Sequence, residues 1–470
     1  MIAPRLPFGL LSLLLALVAA APGSLSAQTT GGTGAGGGVN TGNTNNQNPF
    51  AGVMVDADGV LRRRQVGDTS GNLNRRRTSR GQAQADGSSP LRKISLNRLE
   101  AAVAKSIDQG SRPTDEMNCL AGLIRVKYVF YYPETKDIVI AGPAEAWDVD
   151  AEGRLCGVKS GRPVVELQDL VVALRAFAPG SKDSPQISCS IDPTREGLAR
   201  MQEFLQSVGS TAVPSQTQYI VEGLRTSLGM QNVSVGGVPA NTHFAHVMVE
   251  ADYRMKLIGI GLEQPPVRLA SYVSQANPAT VSRNALQRWW FLPEYHCVRV
   301  SDDKLAMELV GDGVKLVGED EIVAANGQRK QTGGASRASQ AFVTGFTKAY
   351  PNLAARSPIY AQLRNIIDLS VAAAFIREQG YYEQADWKLE TFGNEGRYPV
   401  ETLNTPKQVE TAVASLWKNK RLMTPVGGGV EISADKALQS SNLLADDKGQ
   451  VEKTRGQGVP KLAEGQWWWD

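Results

Sequence analysis

The three histidines are the residues of this chain best suited to acid–base or metal chemistry near neutral pH. His243, His246 and His296 are its only histidines, and all three lie within residues 241–323. The same stretch contains two adjacent tryptophans, Trp289 and Trp290. We therefore expect a functional site, if the chain has one, in this stretch.

The apolar residues of the segment 244–263 alternate with polar ones, which predicts a β-hairpin. In the predicted register His246 and Glu250 share one face with Phe244, opposite two glycines. Strand glycines leave space that is either filled by neighbouring rings or open to a ligand. The hairpin thus offers a small pocket, with packing as the alternative.

A metal centre is not predicted. His243 and His246 are three positions apart, so on a strand they point to opposite faces, although the same spacing on a helix would suit a metal pair. The chain also lacks paired cysteines at zinc spacing and the common nucleotide-binding and zinc-protease motifs. We predict no cofactor.

The predicted binding residues combine carboxylates, a cation, a histidine and aromatic rings. Adjacent tryptophans cannot both be buried on one strand face, so one of them is suited to a sugar ring, a peptide or a partner protein, unless both pack between elements. No catalytic residue is assigned. The predicted set is His246, Glu250, Asp252, Arg254, Trp289 and Trp290.

The four cysteines are far apart in the sequence. In an oxidising compartment they are able to form one or two disulfides, and four cysteines allow three pairings that sequence cannot distinguish. Buried thiols are the alternative, because a chain of this length does not need cross-links. The residues are Cys119, Cys156, Cys189 and Cys297.

Residues 1–27 predict a signal peptide: a positive start, a short apolar run and small residues before a cleavage site. The apolar run is too short for a membrane span, and we predict no transmembrane span elsewhere. Residues 28–50 are a low-complexity tether. The protein is therefore expected to be exported, to the periplasm or beyond the cell.

The elements that follow predict an α+β fold. Residues 51–94 contain a short hairpin and a basic linker, and residues 95–326 form an α+β core with a mixed, hairpin-rich sheet and packed helices. Residues 327–340 are predicted to be a linker. A smaller, mainly helical unit at 341–433 and a disordered tail at 434–470 complete the chain.

Two terminal features suggest partners. The basic segment 62–98 is either a solvated arm or a contact for polyanions. The tail ends in Trp467, Trp468 and Trp469, which either dock into a partner or fold back on the body. The net charge of +3 and the absence of a nucleic-acid motif give no reason to expect a nucleic-acid partner.

Several stretches together resemble a family of exported bacterial proteins known only as a domain of unknown function. The similarity covers about residues 95–432 and implies export and a bacterial source, but no activity or site. It is carried mainly by residues 128–147, 161–175, 188–202, 243–263 and 288–321 and by the strand near 430.

Two function classes remain. The first is a non-catalytic binding protein whose partner is an envelope protein or polymer. The second is a hydrolase of an envelope polymer that uses carboxylates of the central hairpin for acid–base chemistry. We favour the first, because no constellation of residues selects a catalytic pair among the many carboxylates.

Overall fold

The computed structural model describes most of the chain after residue 51. The predicted signal peptide, the tether and the middle of the basic segment lie outside the described residues. The described ranges are 52–63, 87–150, 153–181, 185–209, 213–277, 285–294, 296–414, 416–418, 421–423, 429–457 and 462–470.

Twenty strands are described. In chain order they are β1 (Val53–Val55), β2 (Val60–Arg63), β3 (Ser89–Ser95), β4 (Tyr128–Tyr132), β5 (Asp137–Ala144), β6 (Trp147–Val149), β7 (Leu155–Gly157), β8 (Ile187–Pro193), β9 (Met230–Gly236), β10 (Ala285–Pro293), β11 (Val298–Val300), β12 (Ala306–Leu309), β13 (Val314–Val323), β14 (Arg329–Gln331), β15 (Gln408–Glu410), β16 (Leu416–Lys418), β17 (Arg421–Met423), β18 (Gly429–Ile432), β19 (Leu444–Ala445) and β20 (Trp468–Trp469).

The described helices alternate irregularly with these strands. They are α1 (Leu96–Asp108), α2 (Asp115–Asn118), α3 (Leu167–Ala176), α4 (Arg195–Val208), α5 (Thr217–Leu228), α6 (His243–Gly259), α7 (Tyr272–Gln275), α8 (Arg337–Arg356), α9 (Pro358–Glu378), α10 (Tyr381–Gln384), α11 (Ala434–Leu438) and α12 (Gln450–Gly456), with 3-10 turns at Leu120–Gly122 and Pro214–Gln216.

The strands form two main sheets. The large sheet has nine strands in the order β1-β2-β15-β9-β8-β18-β10-β13-β14, and the small sheet has seven in the order β19-β11-β12-β4-β5-β3-β20. Most neighbouring strands are antiparallel, but β18 pairs in parallel with β10. The predicted α+β class with a mixed sheet is confirmed.

Helices α6 and α9 form the apolar centre of the molecule. They pack against each other, and their side chains share one hydrophobic core with residues of both sheets. Because both helices are surrounded, nearly every side chain along them is buried, including polar ones. Of the described helices, only α9 has the length and apolar composition to span a membrane, and it is completely buried inside the protein.

The hairpin predicted over 244–263 is wrong: this segment is helix α6. Thr242 caps the helix by accepting a hydrogen bond from the Ala245 amide, at 3.3 Å. The apolar pattern led to the wrong prediction of a hairpin because a helix buried on all sides has no polar face. Without a polar face, the 3.6-residue period of a helix is not visible in the sequence. The two-glycine gap opposite His246 therefore does not exist.

The signal for a helix was present in the charged residues. Glu250 precedes Arg254 by four positions and Asp252 precedes Lys256 by four, and both pairs form ion pairs, at 3.3 and 2.9 Å. Acid-to-base pairs at this spacing meet on a helix and not on a strand. The spacing of the charged residues, rather than of the apolar ones, was therefore the signal that could have identified this helix.

The predicted linker and C-terminal unit are built into the same body. Residues 327–340 contain β14 and the start of α8, and β18 lies between β8 and β10 in the large sheet. The chain from Gln47 to Asp470 clusters as one compact unit. Strand β18 is short, but it completes a sheet made by earlier parts of the chain.

The tail predicted to be disordered is ordered over most of its length. It contains α11, β19, α12 and β20, and Trp467 is only 5% exposed. Strand β20 extends the small sheet by pairing with β3, where Trp468 lies opposite Ile94. The tail folds back because its indole rings pack against apolar and positively charged side chains of the same chain.

The close approach of α6 to β10 makes a stability test. A Cβ atom on Gly259, the last residue of α6, would lie 2.3 Å from Cζ3 of the buried Trp289 ring. We expect Gly259→Ala to lower the free energy of unfolding by about 1–3 kcal/mol through overpacking, measured by urea denaturation. Gly456→Ala in α12 is the control, since its new Cβ would meet nothing within 4 Å. An equal effect of the two substitutions would contradict the packing argument.

Candidate functional site

The predicted binding residues do not meet at one opening. His246 is buried, and its Nε2 donates to the carbonyl oxygen of Asn404 at 2.8 Å. Burial lowers the pKa of His246 to about 4, so the ring is neutral at pH 7. His246 fixes a neighbouring loop and lines neither of the cavities described below.

Glu250 and Arg254 do meet, but inside the protein. Glu250 is 0% exposed, and its Oε1 lies 2.8 Å from Arg154 and 3.3 Å from Arg254. Arg254 continues the network to Glu263 at 2.8 Å. Burial raises the pKa of Glu250 against the opposing effect of the two arginines. This network joins α6 to its surroundings, and Glu250 lines neither of the cavities described below.

The Asp252 side chain also forms its ion pair inside the protein. Its Oδ2 lies 2.9 Å from Lys256 Nζ, which also donates to the Ile191 carbonyl oxygen at 2.8 Å. Burial raises the pKa of Asp252 to about 6. The pair ties α6 to strand β8.

The two tryptophans lie on opposite faces of strand β10, because successive side chains of a strand alternate in direction. Trp289 is buried, donates to Ser339 Oγ at 2.8 Å and packs 4.7 Å from the Phe342 ring. Trp290 points the other way, is half-buried and lies 5.9 Å from the Arg288 guanidinium. Neither residue lines the cavities described below.

No disulfide joins the four cysteines, all of which lie in described and buried positions. Burial raises the pKa values of Cys119 and Cys297 to about 12, so both are protonated thiols at neutral pH. The alternative of buried thiols therefore describes this structure. A thiolate nucleophile has no support at Cys119 or Cys297.

Sequence reasoning missed two neighbouring cavities, of which the outer one is lined by residues of β3 and β20. The outer cavity has a volume of about 1020 Å³, and the inner cavity about 660 Å³. Asn118 and Leu155 line both of them, so the two cavities are neighbours on either side of these side chains. Such volumes suit a ligand the size of a few sugar rings or residues.

The outer cavity is walled by two half-buried indole rings, those of Trp147 and Trp468. Trp468 is held from two directions: its Nε1 donates to Glu116 at 2.9 Å, and the Arg92 guanidinium lies 4.3 Å from its ring centre. Arg92 is itself fixed by both carboxylate oxygens of Asp470, at 2.8 and 3.0 Å. The ring is therefore preorganised.

Trp147 stands on the β6–β7 hairpin, above a glycine. Gly122 has φ +79°, and a Cβ there would lie 2.0 Å from the Glu145 carbonyl oxygen and 2.8 Å from the Trp147 ring. Only glycine allows both this backbone conformation and this approach. Asp115, Glu116 and Asp148 give the cavity an acidic rim.

The inner cavity is lined by the start of α3 and by the loop that contains Tyr398 and Glu401. Glu166, at the N-cap of α3, lines it, and Glu401 lines it from a loop. The Glu166 side chain is 14% exposed and accepts from Gln168 Nε2 at 2.7 Å. Arg112, Arg397 and Tyr398 complete its polar and aromatic lining.

His243 stands behind Glu166. Its Nδ1 lies 2.9 and 2.8 Å from the two carboxylate oxygens of Asp169, and its Nε2 lies 3.6 Å from Glu166 Oε1. Burial opposes the imidazolium, but Asp169 and Glu166 outweigh it and raise the pKa of His243 to about 9. His243 is thus a cation held between two acids at neutral pH.

The pKa of Glu166 is shifted by the same neighbouring groups. Burial raises its pKa, His243 lowers it, and Asp169 and Glu401 raise it further. Glu166 therefore holds a proton more readily than an exposed glutamate. Among the described residues no group of three or more histidine, cysteine or carboxylate side chains is arranged to hold a metal ion.

Residues 189–272 match a family described as a protein of unknown function, DUF1598. The match confirms a domain of unknown function over part of the range that resembled one. No curated protein matches the chain, and no solved structure matches it.

The DUF1598 segment supplies part of the inner cavity's support. It runs from β8 through α6 to the start of α7 and includes His243 and His246. Glu166 and Glu401, which line the cavity, lie outside it on either side. Sequence reasoning missed them because they are 235 positions apart and only the fold brings them together.

Proposed function

We propose that the protein is an exported envelope protein that binds a glycan chain across the neighbouring outer and inner cavities. The observation that carries this proposal is the pair of half-buried indoles, Trp147 and Trp468, on one cavity with an acidic rim. Export rests on the signal peptide expected at residues 1–27.

The chemistry of the outer cavity favours a sugar ring. A pyranose has an apolar C–H face that stacks on an indole and hydroxyl groups that donate to carboxylates. Trp147 and Trp468 supply the stacking surfaces, and Asp115 and Asp148 supply acceptors at the rim. A peptide is the competing ligand, and the experiment below includes it.

The hydrolase alternative based on the central segment gains no support. Glu250 and Asp252 are fully buried in ion pairs and line neither cavity. The polyanion contact proposed for the basic segment is also weakened at its described ends. Arg62, Arg92 and Arg98 form ion pairs with acids of the same chain.

Trp468→Ala tests glycan binding. Isothermal titration with glycan strands released from peptidoglycan, and separately with cello-oligosaccharides, should show binding by the natural protein and a Kd about tenfold higher for Trp468→Ala. Loss of one stacked ring is worth about 1 kcal/mol beyond its buried area, and about 1.4 kcal/mol is tenfold in Kd.

The neighbouring residue is the matched control. Trp469 lies on the same short strand but contacts the ring of Tyr132, with centroids 6.4 Å apart, and does not line the cavity. Trp469→Ala should therefore leave the Kd unchanged. Binding of envelope peptides in place of both glycans, or equal effects of the two substitutions, would contradict the proposal.

A further inference from the structure

We propose that the inner cavity hydrolyses a glycosidic bond of the bound chain, with Glu166 as the proton donor and Glu401 as the base that activates water. This inference rests on the glycan binding proposed above and adds a reaction to it. It assigns the chemistry to two carboxylates outside the segment first expected to carry a site.

The reaction balances with one water molecule. Glu166 gives its proton to the glycosidic oxygen as the bond from that oxygen to the anomeric carbon breaks. Water adds its oxygen to the anomeric carbon, and its proton passes to Glu401. The products are one new reducing end and one free hydroxyl group, and solvent returns the proton from Glu401 to Glu166.

The two carboxylates occupy unlike environments, as such a pair requires. Glu166 is largely enclosed by α3 and α6, whereas Glu401 is exposed at the cavity. Burial, which raises the pKa of Glu166, supports its role as the acid. Glu401 is close enough to Glu166 to add to this rise.

His243 is a positioning residue for Glu166. Asp169 accepts a hydrogen bond from its Nδ1 at 2.8 Å, and the Gln362 side chain from α9 lies beside the ring. The ring therefore has a fixed orientation behind the Glu166 carboxyl group. Since its charge lowers the pKa of Glu166, it also limits how tightly that group holds its proton.

The loop that carries Glu401 is anchored on both sides. Arg175 donates to the Tyr398 carbonyl oxygen at 2.6 Å, and the Leu403 amide donates to the Asn241 carbonyl oxygen at 2.8 Å. One residue further on, His246 holds Asn404. Helix α6 thus supports both carboxylates, with His243 behind one and His246 beside the loop of the other.

The groups that face this cluster come from several elements. Asp169 and Glu166 lie on the side of α3, Gln362 lies on α9, and Glu401 lies on the loop. Arg154, on the β6–β7 side, opposes the charge of His243.

The test uses the glycan that binds in the titration. The natural protein should release reducing ends from it, and Glu166→Gln and Glu401→Gln should each lower the rate at least about 100-fold. Both variants should bind the glycan with a Kd within about threefold of the natural value. Glu395→Gln is the matched control, an exposed acid near the same loop that lines neither cavity.

The variant His243→Gln tests whether His243 acts on the Glu166 carboxyl group or only supports the fold. Without the imidazolium, the pKa of Glu166 rises, so the alkaline limb of the rate–pH profile should move to higher pH. A glycan that binds but yields no reducing ends would overturn the reaction and leave the binding proposal standing. Full activity of Glu166→Gln, or an unmoved limb in His243→Gln, would also overturn it, and failure of every glycan to bind would overturn both proposals.

Discussion

Glu250→Ala will lower the free energy of unfolding by about 3–5 kcal/mol, the range expected when one partner of a buried ion pair is removed. The substitution removes the carboxylate that lies 2.8 Å from Arg154, whose side chain is 4% exposed. It also removes the partner that Arg254 reaches at 3.3 Å. Urea denaturation at pH 7 measures the loss.

Two further variants identify the cause. Glu222→Ala removes a carboxylate that also pairs with arginine on a helix, at 2.8 Å, but that is 57% exposed; its effect should stay below about 0.5 kcal/mol. Glu250→Gln keeps an oxygen that can accept from Arg154 and should cost less than Glu250→Ala. If Glu250→Ala and Glu222→Ala cost the same, burial of the network does not control stability.

The contribution of His243 to stability will fall as the pH rises from about 6.5 to 9. The pKa of His243 is raised in the folded protein from 6.5 to about 9. A raised pKa means that folding favours the charged form, so the stabilisation is complete below pH 6.5 and is lost as the pH passes 9. The shift corresponds to about 3 kcal/mol.

The difference in free energy of unfolding between the natural protein and His243→Gln isolates the contribution of His243. Burial lowers the pKa of Lys93 to about 8, which makes stability rise with pH between about 8 and 10.5 and opposes the histidine. This effect is common to both proteins and cancels. The difference in unfolding free energy should shrink by about 3 kcal/mol between pH 6 and pH 10.

His296→Gln is the control for this series, because His296 is exposed and lies outside the cluster. Urea denaturation at intervals from pH 6 to 10 measures all three proteins. A difference between the natural protein and His243→Gln that stays constant with pH would show that Asp169 and Glu166 do not hold a charged ring.

Local patterns predicted local elements well. Ser95 caps α1, with Leu96, Leu99 and Val103 buried along its stripe, as the spacing of these residues indicates. The hairpin of β4 and β5 forms around the Pro-Glu-Thr-Lys turn for the same reason. Caps and turns are decided by neighbouring residues, so they can be predicted from a short stretch of sequence.

The central helix could not be predicted from its apolar pattern. An amphipathic element shows its period because one side meets water, and α6 meets water on no side. Its buried acids and bases carried the four-residue spacing, but their partners outside the helix, Arg154 and Glu263, could not be identified in advance. The same holds for Asp169, which holds His243 from another helix.

By itself, the sequence determined the α+β class, the local caps and turns and the concentration of histidines in one segment. The tertiary structure decided which charged residues are enclosed and which face a cavity. It placed Glu166 and Glu401 at the inner cavity and folded the tryptophan tail into the wall of the outer one. The reason is physical: burial and ion pairing depend on contacts between residues hundreds of positions apart, which no local pattern records.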